Sequence, residues 1–361
     1  YDKFKTLRAT VGVIVAIFLI GQQTGIFLFL TGLMDALVSN TQAKVWVVGD
    51  NVKDVNSLST IDIRRGNEIR SIKGVKNVNP LVIAGSTIKL KNGKTAPVQI
   101  IGSLTPEFIG GPWNIVEGDI SQLVHQGGIA ADMYDLGNLG DVRLGDELSL
   151  GGKLVELRAV TKGARGFGAN YIFTNIALAK ELGNFPVNEV SAFLINIEEG
   201  YTPEEIAREI NSKHSGIRAW TKRQFSWSTI MKILKDGGIG ESIGSLIIFA
   251  IIAGGVIIGL TLYSAAKDRI DDYATMKAIG AYRKVVTSLI LVQASIIAAV
   301  GFAIAAMLIQ GFKLGVRGSG VRFSFPWYIW VLFFVLTLII SLSGAYFASK
   351  SIRNVKPSKV F

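Results

Sequence analysis

The chain has 361 residues, 49% of them hydrophobic and 18% charged, with a net charge of +11 and a mean hydropathy of +0.41. That balance excludes an ordinary soluble protein, and the apolar residues gather in one N-terminal block and three in the last third, as in a membrane protein with one large aqueous domain. The absence of Cys excludes disulfides, thiolate metal sites and Cys nucleophiles; His125 and His214 lack metal-ligand spacing, and Lys and Arg beside the apolar blocks tie part of the basic excess to lipid and topology rather than nucleic acid.

The first block, Ala9–Leu33, meets the requirement of about 20 apolar residues for a bilayer-spanning helix. Lys3, Lys5 and Arg8 precede it, as in a signal peptide. The apolar run continues through Ile26–Leu30 without a small-residue cleavage site, so a retained span is expected. Within it, Gln22, Gln23 and Thr24 lie between Gly21 and Gly25. Small residues let helices approach closely, and amides hydrogen-bond across such contacts. This places the three polar residues at a dimer interface, on a cargo path, or in packing within one subunit.

Residues 40–240 mix strand and helix signals. Val45–Val48 is a short apolar run, and Arg65–Ile72 has helical composition. Leu81–Leu90 and Thr95–Ser103 flank Lys91-Asn92-Gly93-Lys94, where Asn-Gly predicts a hairpin. Gly145–Leu150 and Lys153–Val160 predict a second hairpin around Gly151-Gly152. Phe193–Ile197 reads as a strand. Pro203–Ser212 reads as a helix, with Thr202 as N-cap, Pro203 at the first position and Glu204 and Glu205 in the first turn. The region is thus an α+β domain, of one lobe or two. Trp220–Asp236, with aromatics among Lys222, Arg223, Lys232 and Lys235, suits a stalk or membrane-surface helix leading to the next span.

Three further spans follow at Ile243–Ala266, Val285–Phe312 and Phe325–Ala348, none with a charged residue inside. Gly254, Gly255 and Gly259 give the first of them a small-residue face. Basic residues before span one, between spans two and three, and after span four share one side, which the positive-inside rule assigns to the cytoplasm. Lys313, Arg317 and Arg322 oppose this but are outnumbered. The expected fold is an α-helical membrane protein with four transmembrane helices and a large extracytoplasmic α+β domain inserted between helices 1 and 2. The expected partition is 1–39 (N-terminal segment and helix 1), 40–240 (outer domain with stalk) and 241–361 (helices 2–4 with the basic tail).

No catalytic motif survives inspection. Gly93-Lys94-Thr95 resembles the end of a phosphate-binding loop, but Ile88 stands where the motif needs Gly. Gly163–Gly168 is glycine-rich without dinucleotide spacing and reads as a mobile loop. Neither histidine lies near a nucleophile elbow. We expect no enzyme activity, no catalytic or metal site and no bound cofactor.

The loop between spans two and three reads Lys267-Asp268-Arg269-Ile270-Asp271-Asp272-Tyr273-Ala274-Thr275-Met276-Lys277-Ala278-Ile279-Gly280. Ile270, Tyr273, Ala274 and Ala278 recur at helical spacing and Gly280 is a natural stop, so a short amphipathic cytoplasmic helix is expected over 268–280. Asp272–Gly280 resembles the signature of FtsX-like permeases, the membrane subunits of MacB-type (type VII) ABC transporters, and is most similar to DevC-type exporter permeases. Pro357–Phe361 and the order of one span, outer domain and three spans are similar too. Val75–Val78 and Gly145–Glu147 resemble recurrent family elements, while Asp272 replaces the usual Glu.

The resemblance implies an inner-membrane homodimer bound to two separate ABC ATPase subunits, which would hold the ATP. It implies that Asp268, Arg269, Ile270, Asp272, Tyr273, Met276, Lys277 and Gly280 form the ATPase-coupling helix. Export of a hydrophobic or amphipathic substrate with a periplasmic membrane-fusion protein and an outer-membrane duct is the implied activity. Lipoprotein release, haem efflux, control of a cell-wall hydrolase and antimicrobial-peptide sensing are the alternatives the family holds open. Membrane lipid is an expected partner and nucleic acid is not. The start at Tyr1 rather than Met leads us to expect a short cytoplasmic segment ahead of it.

Overall fold

The run Val45-Trp46-Val47-Val48 contains no polar position, as expected of a strand covered on both faces. In the computed structural model, which describes residues 3–90, 92–267, 275–276, 282–321 and 325–352, it lies inside a ten-stranded sheet. The elements up to the middle of the sheet are α1 (Lys3–Met34), α2 (Ala36–Asn40), β1 (Val45–Gly49), β2 (Ile61–Asp62), α3 (Arg65–Arg70), β3 (Val75–Lys89), β4 (Thr95–Ser103), β5 (Ile115–Gly118) and β6 (Gly128–Asp132). There follow β7 (Glu147–Leu150), β8 (Lys153–Thr161), β9 (Asn170–Asn175), α4 (Ile176–Leu182), β10 (Glu189–Val190), β11 (Ala192–Ile197), α5 (Pro203–Lys213), β12 (Ile217–Thr221) and α6 (Lys222–Asp236). Three long helices close the chain: α7 (Ile239–Lys267), α8 (Arg283–Gly315) and α9 (Trp327–Ile352).

The chain divides into two compact units, Leu30–Ile239 and, together, residues 1–29 and 240–361. In the first, the strand order is β12-β1-β11-β3-β4-β9-β6-β8-β5, with β7 pairing to β3 and β8. β2 and β10 form a separate two-stranded sheet within the same compact unit. Both expected hairpins are present. Lys89 pairs with Thr95 across the Asn92-Gly93 turn, where Gly93 has φ +80°, and Leu150 pairs with Lys153 across Gly151-Gly152.

Alternation along each strand sorts side chains onto two faces. Val45, Val47, Phe193, Ile195 and Ile172 join α3, α4 and α5 through Ile69, Leu178, Ile206 and Ile210. Trp46, Val48, Leu194, Tyr171 and Phe173 join α2 and α6 through Leu37, Val38 and Phe225. The edge at β12 is closed by a side chain. Asn211 of α5 donates through Nδ2 to Ala219 O (2.9 Å) and accepts from Ala219 N–H (2.7 Å), removing a free peptide group from an edge open to pairing.

Trp220 belongs to β12, and α6 starts only at Lys222. The signal for this start is in the sequence: Thr221 and Gln224 form a capping box in which each side chain accepts from the other's backbone N–H, the device that fixes a helix start. The Thr202–Glu205 capping box does the same for α5. Gly163–Gly168, which reads as mobile in sequence, is tied down: Ala164 N–H donates to buried Asp132 (2.7 Å), and Arg165 pairs with buried Asp135 (2.7 Å).

Among the described residues four helices are long and apolar enough to cross a membrane, over Thr10–Met34, Ile239–Thr261, Thr287–Ser319 and Trp327–Phe347. Their common interior is small and aliphatic, with Val13, Ala16, Ile17, Ile258, Ala294, Ile297, Ala305 and Ala345 all buried.

Candidate functional site

Polar groups and close packing meet in two regions of the molecule, along the glycine-lined contacts of α1 and at the junction where α1 gives way to the sheet unit.

Glycines let α1 lie close against its neighbours. A Cβ at Gly254 of α7 would stand 3.1 Å from Ile20 and 3.4 Å from the Ala16 methyl. A Cβ at Gly301 of α8 would stand 2.7 Å from Val13, closer than real carbon contacts allow. Gly12 faces Thr261, and Gly21 faces Ile309. Gly255 is nearly clear, and Gly259 meets nothing within 4 Å, so of Gly254, Gly255 and Gly259 only Gly254 serves close packing within the chain. Gln22, Gln23 and Thr24 are half-buried. Thr24 donates its hydroxyl back to Ile20 O (2.9 Å), a local bond available to Thr in any helix.

At the junction, Asp35 follows the last residue of α1 and is 6% exposed. Its carboxylate accepts hydrogen bonds from Ser39 of α2 and from Ser226 of α6. Further bonds run alongside. Lys222 Nζ donates to Thr41 O (2.8 Å), Ser228 donates to Lys53 O (2.6 Å), and Val55 N–H donates to Thr229 (3.2 Å). The apolar layer beneath is aromatic, with Phe225 between Trp46 and Trp220 at centroid separations of 5.5 and 6.1 Å. The segment leaving α1 and the segment leading to α7 are thus bound into one body. Burial, and secondarily the nearby Asp35 charge, push the Tyr171 phenol far above its ordinary value, which keeps it neutral.

Of the expected coupling helix, Asp268, Arg269, Ile270, Asp272, Tyr273, Lys277 and Gly280 lie outside the described residues. Thr275 and Met276 are helical, and Met276 packs against the interior of the helical unit. Pro357–Phe361 also lies outside. His214 Nδ1 sits 3.4 Å from Glu68 and His125 is exposed after a short 3-10 turn; the two serve separate places. Sequence reading misses Asp35. Its one local signal is an acidic residue directly after an apolar block with Ser four residues on, but the partner Ser226 is 191 residues away.

Residues 244–357 match the family described as FtsX-like permease C-terminal. No curated protein sequence matches the chain. Among the solved structures similar to it are the following three. The extracellular domain of the noncanonical ABC-type transporter YknZ from Gram-positive bacteria has 14% identity and a TM-score of 0.37, covering 50% of this chain and 99% of that one. The periplasmic region of MacB from Actinobacillus actinomycetemcomitans has 8% identity and a TM-score of 0.40, covering 56% and 98%. A domain of a putative permease protein from Porphyromonas gingivalis has 16% identity and a TM-score of 0.33, covering 49% and 87%.

Proposed function

We propose, from the match of residues 244–357 to FtsX-like permeases, that this chain is the membrane subunit of an ABC exporter in the inner membrane, with its sheet unit outside. That match is the observation that carries the reading. In this reading two copies associate, and a separate pair of ATPase subunits binds ATP and docks on the segment 268–280. A periplasmic membrane-fusion protein and an outer-membrane duct complete the path for a hydrophobic or amphipathic substrate. The bonded junction at Asp35 and Ser226 supports it, because motion of the helices reaches the sheet only through connections that do not give. Gln22 and Gln23 sit at the middle of an apolar helix, where an amide needs a partner; the second copy of α1 supplies it in the dimer.

The test is at the coupling segment. Exposed ion pairs contribute about 0–1 kcal/mol, while a buried interfacial aromatic costs about 2 kcal/mol or more on truncation. Tyr273→Ala is therefore expected to weaken co-purification of the ATPase more than tenfold, with loss of its stimulated turnover. Asp271→Ala is expected to change either by less than about fivefold. Full association and full turnover of Tyr273→Ala would remove 268–280 as the coupling element.

A further inference from the structure

The junction carries an excess of positive charge that no described ion pair uses. Lys44, Lys222 and Arg223 line a cavity of about 510 Å³ together with Ser39, Ser226 and Glu204. The described ion pairs all involve other residues. Lys222 spends one of its three donors on Thr41 O (2.8 Å) and has two to offer. Its pKa is lowered, first by burial and then by the charge of Lys44, against the opposing pull of Asp35, so two ammonium groups share the site. Glu204 is the one carboxylate among the lining residues. Asp35 lies behind the wall with its oxygens occupied by the Ser39 and Ser226 hydroxyls. Three cations against these two carboxylates still leave the cavity positive. At the helix start beside it, the Thr221–Gln224 box uses the N–H groups of those two residues, and Lys222 N–H is held by Lys44 O.

The position of the cavity in the chain narrows the ligand. Ser39 is five residues beyond Met34, where the first apolar helix ends. Five residues reach at most about 18 Å fully extended and about 8 Å in a helix. The headgroup layer outside a hydrocarbon core is about 5–8 Å thick on each side. An anion held by Ser39, Lys44 and their neighbours is therefore within reach of the membrane surface.

We propose that Lys44, Lys222 and Arg223 form a site for the phosphate of an anionic lipid headgroup, bound beside the junction of α1 with the sheet unit. Ammonium and guanidinium groups bind phosphate oxygens through short charge-assisted hydrogen bonds, and an anionic headgroup completes the charge balance that the protein leaves open. The site does not depend on the export reading; any membrane protein with this junction would hold it.

Binding of dihexanoyl-phosphatidylglycerol to the full chain in detergent, measured by calorimetry, tests the site. Dihexanoyl-phosphatidylcholine and inorganic phosphate serve as comparisons. The phosphatidylglycerol is expected to bind at least about tenfold more tightly than either. Lys44→Gln with Arg223→Gln is expected to weaken it by about tenfold or more, while Lys94→Gln, a cation at the distant hairpin turn, leaves it unchanged. The double variant spares the Lys222–Thr41 bond, and an unchanged thermal unfolding profile confirms its fold. Unaltered binding by the double variant overturns the proposal, as does equal binding of phosphatidylcholine, which assigns the affinity to the tails. Inorganic phosphate binding as tightly as the lipid overturns the headgroup assignment in favour of a free-anion site.

Discussion

In the sheet unit Trp46, Tyr171, Phe173, Phe193 and Phe225 are fully buried, whereas in the helical unit Phe249, Leu260 and Met307 are 67%, 64% and 68% exposed and the interior is built from Val, Ile and Ala. The difference reflects two solvents. Water drives large apolar side chains inward and rewards area removed from it. Hydrocarbon gives no such drive between helices, so close backbone approach at small residues decides the packing. Polar groups divide in the same way. In the sheet unit distant side chains satisfy them, as Thr229 does for Val55 and Ser191 for Ile83. In the helices Thr24, Thr261, Thr337 and Ser295 turn to a carbonyl of their own helix.

The contrast can be broken by substitution. Phe173→Ala removes a ring with edge contacts to Trp113 and Tyr171 at 5.3 and 6.0 Å. It is expected to cost about 3–5 kcal/mol, seen as earlier denaturant unfolding of the full chain in detergent. Phe249→Ala should shift the same curve very little. An equal cost for both would mean that Phe249 is covered by protein, as in a self-associated form, and would break the contrast.

A smaller effect separates two glycines. Gly301→Leu meets stiff, β-branched Val13 and is expected to destabilise the helical unit by about 1–3 kcal/mol. Gly259→Leu meets open space and is expected to leave thermal stability unchanged in the monomer. Loss of self-association in Gly259→Leu alone would sharpen the comparison, since that glycine then serves a second chain.

The smallest effect concerns charge in the sheet unit. Burial raises the carboxyl pKa of Asp135 against the opposing pull of Arg165. The folded chain then holds this proton more tightly than the unfolded chain does. Stability falls as pH rises from the ordinary value of 3.8 through the raised one. Denaturation of Asp135→Asn beside the parent, from about pH 4 to 7, should show the parent losing ground to the variant. A parent curve that gains on the variant over that range would mean that the Arg165 pair outweighs burial.

What is legible in the sequence is local. Asn92-Gly93 and Gly151-Gly152 announce their hairpins, because turn chemistry and partner strands lie within a few residues. The apolar helices are legible by length, and α5 by its cap. Strands β6 and β9 escape such reading. Gly128–Asp132 is built from small residues and pairs parallel with β8, while β9 pairs parallel with β4; parallel partners are joined by long crossovers and leave no local trace. Aromatic composition groups Trp220 with the helix that follows, although the Thr221–Gln224 box marks the true start. The candidate site divides in the same way. Gln22 and Gln23 stand out as amides in an apolar run. The Asp35–Ser226 bond joins residues at opposite ends of the sheet unit's chain and becomes visible only in three dimensions.

The pairing of β1 with β12 has a mechanical consequence. Val45, the first residue of β1, lies opposite Thr221, the last of β12, so α2 enters and α6 leaves at the same end of an antiparallel pair. A load that drew α2 and α6 apart would open the ladder one bond after another from that end, the weakest direction in which to pull such a pair. The end is reinforced where peeling would begin, by the Lys222 N–H bond to Lys44 O (3.0 Å), by Lys222 Nζ on Thr41 and by Asp35 on Ser226. A common displacement of the two helices strains none of these bonds and carries the whole sheet with it; a differential one must first break the clasp.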